Sequence, residues 1–72
     1  MMPLSMVQSG ESVQVAAIRA GWGLQRRLAD MGLTPGVRVK VINSGGRGPV
    51  VLDIRGSRLA LGHGIAHKIM VT

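Results

Sequence analysis

The sequence predicts a mainly β fold: a small barrel of about five strands, with a short helix between strands 1 and 2 and a helical turn before the last strand. Three observations lead there. Short apolar stretches alternate with polar residues at period two, as in VRVKVI, where Val37, Val39 and Val41 interleave with Arg38 and Lys40. Glycine-bearing turns separate these stretches. Only LQRRLADMGLTPG, from Leu24 to Gly36, shows helical spacing, with Leu24, Leu28 and Met31 at i, i+4 and i+7. So many short strands in so short a chain fit a closed barrel better than an open sheet, because closure removes exposed edges.

The elements follow in order. Leu4, Met6 and Val7 lead to a turn at Ser9 and Gly10, after which SVQVAAI places Val13, Val15 and Ala17 on one face of a first strand. RAGWG, from Arg19 to Gly23, connects to the helix and offers no Ser, Thr, Asp or Asn as a strong N-cap. On the helix, Leu28 and Met31 are expected to hold the barrel, while Gln25, Arg26, Arg27 and Asp30 spread over the rest of its surface. Gly32 is placed to close the helix in the left-handed conformation, and Pro35 prevents its continuation. A second strand runs from Arg38 to Asn43, SGGRG turns the chain, and PVVLDI forms a third strand. Gly56 and Ser57 are expected to make a tighter turn into RLAL, and GHGIAHK forms a helical turn before the closing strand IMVT.

The totals bound the rest. At 72 residues the chain, residues 1–72, is a single domain near the size at which one core only just offsets chain entropy. Hydrophobic residues make up 46%, and the mean hydropathy of +0.30 is high for so small a body. Part of that apolar surface stays exposed, which a partner or a homo-oligomer interface would relieve. Nine Lys and Arg against three acids give a net charge of +6, which favours acidic partners. Without cysteine, neither a disulfide nor a thiolate metal site is available. No apolar run approaches a membrane span, and the N-terminus lacks the features of a signal peptide, so a cytoplasmic protein that is not integral to the membrane is expected.

Chemistry-bearing residues are sparse. Glu11, Asp30, Asp53, His63 and His67 fall on separate elements, so no acid/base pair is expected and the chain is not read as an enzyme. Asp30 lies near the C-terminal end of its helix, against the macrodipole, and reads as a solvated or paired charge. Asp53 alternates with Leu52 and Ile54 and should point outward. His63 and His67, four apart, are weak candidates for a metal, because no Cys, Asp or Glu in the same segment completes a ligand set; no cofactor is expected. SGGRG is no phosphate cradle, since Pro49 and a strand follow instead of a helix, although Arg47 at its tip remains a plausible contact for an acidic group. Trp22, the lone aromatic residue, stands between two glycines as either a cover for the core or an exposed anchor.

Taken together, PLSMVQSGE, LQRRLADMGLTPGVRVKVI, GPVVLDIRGSRLAL and IAHKIMVT resemble the FeoA family over nearly the whole chain. The central segment is the most specific part, with Arg27 and Leu28 followed by Gly32, Leu33, Pro35 and Gly36; Ala66, Ile69 and Val71 match the closing pattern. The resemblance implies an SH3-like β-barrel, as in the C-terminal module of iron-dependent repressors. It also implies a non-enzymatic accessory role in bacterial ferrous iron uptake, acting on the cytoplasmic GTP-binding part of FeoB, a membrane transporter. Such a protein would lie in the cytoplasm, peripheral to the membrane through its partner. His63 and Gly64 depart from the family pattern, so no metal role is carried over to them.

The expected partner-binding residues are Trp22, Gln25, Arg26 and Arg27 along the first helix, with Arg47 on the hairpin loop. Arginine and tryptophan are the residue types that interface hot spots favour. The alternative is a basic barrel that binds RNA or DNA through phosphate contacts from Arg38, Lys40, Arg47, Arg55 and Arg58. A single aromatic residue provides no stacking platform, which counts against it.

Overall fold

Alternating buried and exposed residues set the strands, and the two helices fill the gaps between them. A computed structural model describes residues 1–72. The strands are β1 (Met2–Pro3), β2 (Ser12–Ile18), β3 (Arg38–Asn43), β4 (Val50–Ile54), β5 (Ser57–Leu61) and β6 (Ile69–Val71). Helix α1 covers Trp22–Asp30 and α2 covers His63–Ala66, while Leu4–Met6 forms a single 3-10 turn. All neighbours are antiparallel, in the order β1-β6-β2-β3-β4-β5. The additional strand is β1, two residues long, which pairs Met2 with Val71 and Pro3 with Met70. Too short to show a period, it left no signal in the sequence.

The sheet curls because β2 serves two partners. Ser12–Gln14 pairs with β3, whereas Val15–Ile18 pairs with β6. Between these halves the register shifts at Val15/Ala17, a bulge that adds twist where the strand changes partner. Ala17 is accordingly half-buried, while Val13 and Val15 are in the core as the alternation predicts. A second shift, at Val41/Asn43, bends β3. The curled sheet wraps a single core of fifteen apolar residues, among them Leu4, Leu28, Leu33, Leu52 and Ile69. Its hydrogen-bonded ladder ends at β1 and β5, the two edges of the barrel.

Two turns decide where α1 sits and how β4 meets β5. At the end of α1 the Leu33 N–H donates to the Leu28 carbonyl at 2.9 Å and the Gly32 N–H to that of Ala29 at 2.9 Å, the paired bonds of a Schellman stop. Gly32 has the required positive φ of 93°, and the accompanying hydrophobic contact is supplied by Leu28 and Leu33, both fully buried. Met31, expected on the buried face, is 42% exposed: the helix ends one residue earlier, so Leu33 takes the core position instead. The β4–β5 turn also differs from expectation. Ile54 pairs with Ser57, leaving Arg55 and Gly56 as the turn, with φ of 52° and 89°. Positive φ at both central positions is the tight two-residue geometry that matches strand twist, so Ser57 belongs to β5 and not to the turn.

Candidate functional site

Helix α1 lies between the end of β2 and the start of β3, and its sequence commits one side to the barrel. Leu28 is fully buried and Leu24 half-buried. No side chain caps the N-terminus, where Gly21 takes the extended N-cap conformation. The Gln25 Nε2 group instead donates to the Ala20 carbonyl at 2.7 Å and, more weakly, to that of Ile18 at 3.3 Å. These bonds fasten the first turn of the helix to the end of β2.

On the other side of α1, Trp22, Gln25, Arg26 and Ala29 fall at i, i+3, i+4 and i+7 and form one ridge. Facing it are Ile18 from β2 and Leu33, Thr34 and Pro35 from the segment after the helix. Between these walls lies an open groove of about 280 Å³, whose exposed lining is mainly apolar. A tryptophan packed as a core cover would be shielded, yet Trp22 is 76% exposed, the most exposed of the large hydrophobic side chains. The indole stands on the rim of the groove and Arg26 supplies a charge beside it. Beyond Thr34 and Pro35 a second, wider depression of about 490 Å³ extends to Gly36, Val37, Ile54 and Arg55.

The structure thus brings Trp22, Gln25 and Arg26 together on one wall. Arg27 is exposed but lines neither depression; it occupies the last turn of α1, where a cation suits the helix dipole. Arg47 stands in the loop between β3 and β4, outside the groove. Ile18, Ala29, Leu33, Thr34 and Pro35 complete the site and were not anticipated from the sequence. Ala29 was legible from its spacing to Trp22 and Arg26. The facing wall was not, because it depends on how the chain returns after Gly32.

His67 makes a structural contact, whereas the His63 side chain is exposed. His67 Nδ1 lies 3.0 Å from the Oγ of Ser5, a bond between α2 and the N-terminal 3-10 turn. No three side chains among His, Cys, Asp and Glu gather closely enough to hold a metal ion. Asp53 Oδ1 accepts a hydrogen bond from the Gly56 N–H at 2.9 Å, which braces the β4–β5 turn. No helix is long and apolar enough to cross a membrane.

A six-stranded barrel around one small core, with an inserted helix that walls an open groove, is a small SH3-like barrel domain. Sequence and structure comparisons narrow that class. The model of the FeoA domain matches residues 2–72, and the chain belongs to the FeoA domain family. It is 45% identical over 71 residues to "Putative Fe(2+) transport protein A" of Methanocaldococcus jannaschii, covering 99% of this chain and 85% of that one. The fold is similar to the crystal structure of an iron uptake regulatory protein (FeoA), with a TM-score of 0.89, 37% identity, and 99% and 93% of the two chains covered. A manganese-dependent transcriptional repressor contains a similar barrel, with a TM-score of 0.82 at 25% identity; 93% of this chain matches 38% of that one. These similarities agree with the fold and the family that the sequence motifs imply.

Proposed function

We propose that this chain is a non-catalytic accessory protein of ferrous iron uptake, which docks on the cytoplasmic GTP-binding part of a FeoB-type membrane transporter through the groove beside α1. The observation behind it is Trp22: a large, mostly solvent-exposed indole on the rim of an apolar groove, next to Arg26. The core does not require it there, and aromatic and arginine side chains dominate the energetics of protein interfaces. Family membership supports iron transport as the setting. In this reading Gln25 positions the helix, while Trp22 and Arg26 make the contact; Arg27 and Arg47 are peripheral. The protein works in the cytoplasm and reaches the membrane through its partner.

Trp22 is the only aromatic residue, so its fluorescence reports on this site alone. Titration with the transporter's cytoplasmic domain should shift the emission to shorter wavelength as the indole is desolvated. In calorimetry Trp22→Ala should weaken binding by about thirtyfold, the effect of a 2 kcal/mol hot spot. Unchanged emission at saturating partner, or wild-type affinity in Trp22→Ala, would remove the groove from the docking surface.

A further inference from the structure

A different surface supports a second contact. On the outer face of the β2–β5 ladder the register brings Ser12, Lys40, Asp53 and Arg58 into one cross-strand row, with Gln14 opposite Arg38 in the next. Arg38, Lys40 and Arg58 are all exposed. Asp53, the single acid among them, is half-buried, and one of its oxygens is occupied by the Gly56 N–H. Three cations therefore share a sheet face with a single carboxylate, which leaves the face positive, and Arg55 extends the positive charge to the adjoining turn.

We propose that this face docks on an anionic lipid bilayer, its lysine and arginine side chains meeting lipid phosphate. The charge complementarity is direct, and a lateral array on short strands suits an extended surface that has no groove to enter. Nucleic acid carries the same phosphate but asks for other features. Single strands need aromatic platforms, and the only aromatic residue lies on α1. Duplex DNA is the other extended phosphate surface, and direct competition against vesicles distinguishes the two. Each Lys or Arg beside an anionic leaflet is worth about fivefold in partition, so three cations offset by the Asp53 carboxylate give about twenty-five-fold. That is weak on its own and becomes effective once a membrane-embedded partner holds the protein nearby. The last step rests on the proposed docking; the lipid contact itself does not.

The test is co-sedimentation of the full chain with vesicles of phosphatidylcholine alone, or with one-third phosphatidylglycerol, at low and high salt, in the absence of any transporter. Binding is expected only to the anionic vesicles and should be lost at high salt, where screening is strong. The double variant K40Q/R58Q should reduce partition about twenty-fivefold, while the charge-matched R19Q/K68Q, altering exposed residues away from this face, should change it by only a few-fold. Circular dichroism should show both variants folded. Three results would each overturn the proposal: no binding to anionic vesicles, equal losses in the two double variants, or tighter binding to duplex DNA than to vesicles at the same low salt. Since no transporter is present, none of them bears on the groove.

Discussion

Leu28 and Met31 show how a one-residue change in a helix end redistributes packing. Leu28 is fully buried, and Leu28→Ala should lower unfolding free energy by about 2–5 kcal/mol in urea denaturation, the usual range for a collapsed or empty leucine site. Met31→Ala, at a partly exposed position outside the core, should cost clearly less, about 1 kcal/mol. Were the helix to continue through Met31 as its i+7 spacing suggests, both variants would be costly. Arg55 is the only non-glycine residue with positive φ. An L side chain is strained there, and asparagine tolerates the conformation better, so Arg55→Asn should raise stability by about 0.5–1 kcal/mol in the same assay. A loss would show that the arginine side chain itself stabilises the turn.

At the scale of the element, α1 is short, has no side-chain N-cap and carries Gly23 in its first turn. A Cβ added at Gly23 meets nothing within 4 Å, so Gly23→Ala should gain about 0.5 kcal/mol of helix propensity and raise the melting temperature by about 2–4 °C. Gln25 offsets the missing cap in another way, by tying the helix to Ile18 and Ala20. Gln25→Ala should cost about 0.5–1.5 kcal/mol. It should also weaken partner binding less than Trp22→Ala does, because its role is to position the wall and not to touch the partner. The family motif runs through this same helix, and Gly32 with Leu28 and Leu33 accounts for much of it by folding alone. Motif residues therefore identify the domain more securely than they identify the contact surface.

For the whole molecule, the strand order sets a gradient of stability. β3 and β4 are each paired on both sides, whereas β1 is a two-residue edge. Native-state hydrogen exchange should find its slowest amides at core positions such as Val39 and Leu52, and rapid exchange in the 44–48 loop. Charge is likewise a property of the whole: the nine basic residues fall on α1, β3, β5 and the connecting loops, and the fold collects Arg38, Lys40 and Arg58 on one sheet face and Arg26 at the groove. The net charge of +6 favours acidic partners in general; the separation into two surfaces allows two of them.

By itself the sequence determined what depends on neighbours along the chain. Period-two alternation in VRVKVI and VVLDI, helical spacing in LQRRL and the glycine stop at Gly32 are local, and they fixed the mainly β class, the inserted helix and its end within one residue. Tertiary structure decided what depends on return paths. The bulge that lets β2 change partners, the pairing of β1 with β6 and the Thr34–Pro35 wall that turns an exposed tryptophan into the rim of a groove all join residues far apart in sequence. Their positions follow from how one small core closes, a many-body packing result that no short window of sequence contains.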